Sequence, residues 1–301
     1  MTKAIAQGTP VAEERLAPLV ESSELRDDPA GLRARLADEG YLFLRGVVDR
    51  EIVLAARQEV FGRLEEVGEI EPPAMEGIAT GTSQRREREP DLGAFWRSVS
   101  QGPQLRVASH GAQVQAVMDL LLGEPARAHD YIFLRPGVVG RSTSLHYDHP
   151  FFARGSDRVY TAWLALGDIP IEEGPLMVLE GSNRYADLVE RVRGIDYDSS
   201  DSPTVQVLSD TVEFARQRGS RLLASPCGAG DLVVFDMFTM HGSLDNHSPG
   251  GRVRLSCDVR WQPASDPVDP RYRGQDPPGT TGAGYGELNG AKPLDIPWHT
   301  R

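Results

Sequence analysis

His146 and Asp148, in the run STSLHYDHPFF, place an imidazole and a carboxylate two residues apart. Strand side chains alternate, so on a strand this pair projects from one face while Tyr147 and His149 project from the other. Both are ligand types that can converge on one metal ion. Taken alone, the motif reads better as a surface or satisfied polar pair. A second nitrogen donor, His241, ends the apolar run DLVVFDMFTM and opens HGSLDNHSPGGRVRLSCDVRW. If that segment is a hairpin centred between Asn246 and His247, His241 and Arg252 pair across it and share a face. Arg252, Arg254, Ser256, Asp258 and Arg260 then continue along the inward side. So many inward polar groups are abnormal for an apolar core and suit a cavity that binds an anion. Two histidines and one carboxylate cover one face of an octahedral ion, the arrangement of non-haem Fe(II) sites that leave positions open for a cosubstrate and O2. A tetrahedral zinc site could draw a fourth nitrogen from His149, His129 or His110. Alternation aims His149 away, however, and the other two lie outside the expected mouth.

The elements that must position these residues are legible in outline. A helix is expected from about Ala30 to Glu39, closed by Gly40, then a strand over Tyr41 to Val48. Asp49 is placed to cap a second helix, REIVLAARQEVFGRLEEVG. Residues 69 to 92 lack periodicity and read as a long functional or disordered loop. Another helical stretch covers roughly Leu92 to Leu122. From Ala126 onward short β-branched and aromatic runs recur: DYIFLRPGV, STSLHYD, VYTAWLAL, PLMVL, RLLAS, DLVVFD, FTMHGS and RVRLSCDVRWQP. Many short strands with Gly/Pro turns argue for a sandwich or closed barrel. The expected organisation is a poorly ordered segment 1–25, then one domain, 26–301. That domain comprises a helical part 26–125, a β core 126–263 with a helical insert 184–219, and an irregular tail 264–301.

Composition narrows the function. A 301-residue chain with 40% hydrophobic and 25% charged residues is ordinary for a soluble globular protein. The net charge of −12 works against binding nucleic acid or an anionic membrane surface, so neither is an expected partner. Two cysteines, Cys227 and Cys257, are too few for a disulfide scaffold and read as inert buried thiols. The opening MTKAIAQGTPVAEERL lacks the apolar core of a secretory signal, and no stretch approaches eighteen apolar residues; a cytoplasmic location is expected. Lysine occurs only at Lys3 and Lys292, which reads as the codon bias of a GC-rich bacterial genome.

His146-x-Asp148, the distal His241 and Arg252 eleven residues beyond it resemble the phytanoyl-CoA dioxygenase family of Fe(II)/2-oxoglutarate oxygenases. EGYLFLRGVVD (39–49), YTAWLALGDIPIEEGPLMVLEGS (160–182) and HGSLDNHSPGGRVRLSCDVRWQP (241–263) also look like that family's recurrent blocks. The resemblance runs from about Gly40 to Pro263. It implies a mainly β fold with flanking helices, a double-stranded β-helix or cupin-like jelly roll. It also implies Fe(II) held by His146, Asp148 and His241, with 2-oxoglutarate and O2 as cosubstrates. By the family pattern Arg252 would pair with the distal carboxylate of 2-oxoglutarate, and Trp163 and Ser256 would line that pocket. The chain departs from the family at Glu180-Gly181-Ser182-Asn183, where Pro-Gly-Ser-His is usual, and this affects turn geometry. Related halogenases replace the ligand carboxylate with a small residue, so Asp148 argues against halogenation.

The function so implied is oxidation, by default hydroxylation, of an unactivated carbon in a small metabolite, plausible as a natural-product intermediate. The alternatives are another metal cupin (an isomerase or an oxoacid-independent dioxygenase) or an inactive metal-binding relative. Several residues also have plainer readings. Trp163 could be core, Ser256 could bond locally, and Arg254 and Arg260 read as surface-paired. SQRREREP, Ser83 to Pro90, reads first as a solvated charge cluster and second as a clamp for a substrate anion. Phe151 and Phe152 could frame the mouth, and Asn246 is a turn residue.

Overall fold

Asp28 and Gly40 bracket the first long helix. The Asp28 carboxylate accepts from the backbone N–H groups of Ala30 and Gly31, Pro29 sits in the first turn, and Gly40 ends the helix at φ 83°. In this computed structural model, which describes residues 3–196 and 210–279, the order begins with β1 (Ile5–Ala6), β2 (Thr9–Pro10), β3 (Leu16–Ala17), α1 (Pro29–Glu39) and β4 (Tyr41–Leu44). The helical part follows as α2 (Arg50–Glu66), α3 (Arg85–Arg88), α4 (Leu92–Ser100), α5 (Pro103–His110) and α6 (Ala112–Leu122). Next come β5 (Ala126–Gly137), β6 (Tyr160–Ala165), β7 (Leu176–Leu179), α7 (Ala186–Arg193), α8 (Thr211–Arg218), β8 (Leu222–Leu223), β9 (Leu232–Asp236), β10 (His241–Ser243) and β11 (Arg254–Pro263).

Two sheets carry the core. One has the order β4-β9-β6-β11-β5, all antiparallel; the other has β10-β7-β8-β3, with only β3 and β8 parallel. The result is a jelly roll with flanking helices. Strand alternation explains how it is filled. Leu42, Leu44, Ala162, Leu164, Leu232, Val234, Leu255, Cys257, Val259 and Trp261 pack outward against the helices α1, α2 and α4 to α6. Their neighbours Tyr41, Phe43, Trp163, Ala165, Val233 and Phe235 turn inward to meet Leu176, Val178 and Leu223 of the second sheet. That second sheet is covered on its far side too, where Met177, Leu179 and Leu222 pack with Ala4, Ala6 and residues of α7 and α8. Strands buried on both faces read as continuous apolar runs, which is why YLFL, LMVL and LVVF show no alternation in sequence.

Four expectations need correction. The first 25 residues are structured. β1 and β2 pair, β3 joins the second sheet, and Asp245 accepts from the backbone N–H groups of Gln7 and Gly8 at 2.8 and 2.7 Å. A buried carboxylate thus pins a segment whose polarity had suggested disorder. Segment 69–92 is packed as well. Arg85 and Glu69, both 1% exposed, form an ion pair at 2.7 Å, and the guanidinium lies over Phe95 and Trp96, so this arginine is spoken for within the fold. Leu92 to Leu122 is three helices, broken at Gly102 and Gly111. Asp49 precedes α2, but its side chain makes no capping bond. Of the insert 184–219, residues 197–209 lie outside the described residues, as do 280–301 of the tail; residues 264–279 fold back so that Tyr272 is buried against Phe152.

Candidate metal and oxoacid site

The two histidines meet because their backbones pair. His146 N–H donates to His241 C=O at 2.9 Å and His241 N–H donates back at 3.0 Å, which sets the ring centroids 4.4 Å apart. Gly242 allows this approach, since a Cβ there would fall 2.4 Å from the Thr143 carbonyl oxygen. Each imidazole is oriented through Nδ1, which donates to Ser144 C=O at 2.9 Å in His146 and to Thr239 C=O at 3.0 Å in His241. Both Nε2 lone pairs are therefore directed to the same space.

Asp148 arrives there by a turn rather than by strand alternation. His146 alone makes the isolated bridge to His241, and Asp148 precedes a short 3-10 turn, His149–Phe151, with φ −76° and ψ −26°. Its Oδ1 lies 3.5 Å from His146 Nε2 and 3.8 Å from His241 Nε2. The other oxygen, Oδ2, accepts from Thr161 Oγ1 and Arg260 Nη2, each at 2.6 Å. The three ligand atoms all lie within 4.8 Å of one another and all three residues are buried. Burial alone would raise the Asp148 carboxyl, but the Arg260 guanidinium and the two imidazoles outweigh it and hold the group well below the usual carboxylate range. Burial, together with the neighbouring His146, pushes His241 down to about 4, although Asp148 opposes the shift. A neutral imidazole and an ionised carboxylate are the protonation states a divalent ion requires.

A small cavity is lined by the two imidazoles together with Thr143, Trp163, Leu176, Ser243 and Arg254. Arg254 is 6% exposed. Among the described residues its guanidinium donates to Ser256 Oγ at 2.9 Å and pairs with no carboxylate. Burial lowers it to about 10, against the attraction of Asp258. Its partner in register is Gly137, where a Cβ would come within 2.9 Å of Arg254 Nη2. On the adjacent wall Arg135 Nε donates to Asp258 Oδ2 at 2.9 Å.

Arg252 is not in this cavity. Its side chain is 44% exposed and pairs with Glu173 at 3.1 Å, while its backbone bridges Ile78. The reason is topological. His241 belongs to β10 of the four-stranded sheet and β11 to the five-stranded sheet, so residues 244–253 cross between sheets instead of forming a hairpin. Asn246 secures the crossing, donating from Nδ2 to the carbonyls of Gly137 and Arg252 at 2.8 and 2.7 Å. Arg254 and Arg260 are accordingly buried inside, not surface-paired. Trp163 forms part of the cavity wall, and Ser256, wholly buried, touches it through Arg254. His149 turns away to donate to Arg193 C=O. His110 lies on the helical side, where its Nε2 donates to His129 C=O at 3.0 Å, whereas the His129 ring faces the other way, stacked on Tyr272 at 5.4 Å with Nε2 donating to Gln262 Oε1 at 3.0 Å. Thr161 was not singled out from sequence; it lies on the same inward face of β6 as Trp163.

The donor set, two nitrogens and one oxygen beside a cavity also lined by a buried cation, suits Fe(II) with an oxoacid better than a closed zinc site. Residues 36–254 match the family model described as Phytanoyl-CoA dioxygenase (PhyH). The chain belongs to the phytanoyl-CoA dioxygenase family. It is therefore a 2-oxoglutarate-dependent non-haem iron dioxygenase, working with Fe(II), 2-oxoglutarate and O2. It is 26% identical over 265 residues to a 1-deoxypentalenic acid 11-beta-hydroxylase of Streptomyces exfoliatus, covering 84% of this chain and 87% of that one. Over 265 residues it is 29% identical to an ectoine dioxygenase of Stutzerimonas stutzeri (strain A1501), covering 82% of each. A solved structure of the non-heme alpha ketoglutarate dependent carbocyclase SnoK from nogalamycin biosynthesis shares the fold, with a TM-score of 0.54, 21% identity, and 85% and 89% of the two chains covered. Among the described residues no helix is long and apolar enough to cross a membrane.

Proposed function

We propose that His146, Asp148 and His241 hold the iron, that Arg254 grips the distal carboxylate of 2-oxoglutarate, and that the chain hydroxylates an unactivated carbon of a small natural-product intermediate. The observation that carries this reading is the buried Arg254 guanidinium, without a carboxylate partner among the described residues, lining the same cavity as the two imidazoles. A cation so buried is expensive unless an anion joins it, and an oxoacid reaching from the metal would do so. An oxoacid-independent cupin would leave that charge unanswered.

Iron, 2-oxoglutarate and O2 together supply the oxidising chemistry, in which one oxygen atom enters succinate and the other the substrate. The chain's residues supply position. Ser256 accepts from Arg254 and fixes the plane of the guanidinium, so that its free edge meets a carboxylate with two parallel bonds. Trp163 and Leu176 wall the cavity and keep water from the reacting atoms. The substrate class rests on the relatives: one is named for a hydroxylation of 1-deoxypentalenic acid and the other for ectoine, both small molecules.

The test is succinate formation from 2-oxoglutarate by the purified chain in air. Fe(II)-dependent succinate, abolished in His146→Ala and His241→Ala, is the expected result. Turnover that persists in either variant, or no turnover with any added Fe(II), contradicts the reading.

A further inference from the structure

Arg260 occupies an unusual position for a charged residue. It is 2% exposed, and its guanidinium carbon sits 4.4 Å from the ring centroids of both Phe133 and Phe152. Only Nη2 has a hydrogen-bond partner, Asp148 Oδ2; Nε and Nη1 are buried with none among the described residues, and Nη1 stays 3.7 Å from Asp258 Oδ2. For stability this is a poor design, because apolar residues filling the same volume commonly do as well or better than a buried ion pair. Charge neutralisation of Asp148 does not account for the whole arrangement either. Thr161 carries no charge, yet its hydroxyl takes the same Oδ2 from the neighbouring strand. What two donors from β6 and β11 achieve together is orientation: one carboxylate oxygen is tied down, and Oδ1 alone faces the imidazoles.

We propose that Arg260 and Thr161 are positioning residues that restrict Asp148 to a single oxygen ligand, a claim that rests on the triad reading above. In a six-coordinate ion, three protein atoms leave room for two oxygens of the oxoacid and for O2. A carboxylate free to swing and bind through both oxygens would fill one of those places. Partners of ligand carboxylates are typically worth about 10- to 100-fold in metal affinity.

The experiment is titration of the metal-free chain with Co(II), without 2-oxoglutarate, following both affinity and the visible absorption of the bound ion, whose shape and intensity report coordination number. Arg260→Gln is expected to weaken Co(II) binding by about 10- to 100-fold and to alter the spectrum. Thr161→Val, which keeps the packing and removes only the hydroxyl, is expected to shift both in the same direction by less. Urea midpoints on the same samples separate a loss of folding from a loss of orientation. Affinity and spectrum unchanged from wild type in a folded Arg260→Gln overturn the proposal; should that variant not fold, an unchanged Thr161→Val does so. His146→Ala serves as the control. If it binds Co(II) as wild type does, the triad reading falls and takes the clamp with it, whereas if it alone loses Co(II), only the clamp has failed.

Discussion

At the scale of single residues, the decisive contrast is between two arginines two positions apart. Arg252 points to solvent and Glu173; Arg254 is buried, lines the cavity and is bonded to Ser256. Truncating one member of a buried charge pair costs about 2–5 kcal/mol. Arg254→Ala should therefore raise the KM for 2-oxoglutarate by about 100-fold or more, and Arg254→Lys by less, because an ammonium keeps the charge but loses the planar fork. Arg252→Ala should leave that KM close to wild type. Steady-state succinate formation against 2-oxoglutarate concentration checks all three, and a large effect of Arg252→Ala would reverse the assignment. The residue types of the site were readable, since His146, Asp148 and His241 do converge. The choice of arginine was not, because spacing from His241 carries meaning only if the intervening chain is a hairpin.

At the scale of elements, that hairpin is where sequence reasoning broke down. Alternation marked the even-numbered face of β11 as inward, but Arg254 and Arg260 on it read as surface-paired; Arg254, Ser256, Asp258 and Arg260 are all buried, with the odd residues turned to the helices. What alternation could not reveal is that 244–253 changes sheets, a non-local event with no local turn signature. The same limit applies to His146 and Asp148, whose shared direction comes from a bridge followed by a 3-10 turn. The pairing of β10 with the 143–146 segment depends on Gly242. A methyl group there meets backbone rather than a movable side chain, so Gly242→Ala should destabilise the chain by about 1–3 kcal/mol through overpacking. It should also weaken metal binding by separating the imidazoles. Urea denaturation and a Co(II) titration measure the two effects, and wild-type values in both would mean the close approach is unimportant.

At the scale of the whole molecule, the helical layer and the jelly roll bury three histidines in neutral form. Burial pushes His110, His129 and His241 each down to about 4, with nearby Arg106, Arg260 and His146 respectively adding to the shift. Hydrogen bonds to His129 C=O, Gln262 and Thr239 C=O oppose it. Unfolding returns each ring to a value near 6.5, so between 6.5 and 4 the unfolded chain binds protons that the folded chain refuses. Stability is fully present above about pH 6.5 and falls as the pH drops towards 4, by up to ~3 kcal/mol per histidine on complete protonation. The urea midpoint of the metal-free protein should fall between pH 7 and pH 5, and His110→Gln should remove part of that change. A midpoint independent of pH across this window would show that these rings are not buried as neutral groups. The net charge of −12, by contrast, bears on solubility rather than on the fold.

The central claim is that one iron bound at residues 146, 148 and 241 shares a cavity with an oxoacid anchored at Arg254. Its most direct measurement is the visible spectrum of the chain under anaerobic conditions, first with Fe(II) and then with 2-oxoglutarate added. A charge-transfer band that appears only with both present, vanishes in His146→Ala, and in Arg254→Ala requires far more 2-oxoglutarate is the predicted result. A wild-type spectrum without the band, or a band unaltered in both variants, would contradict the account.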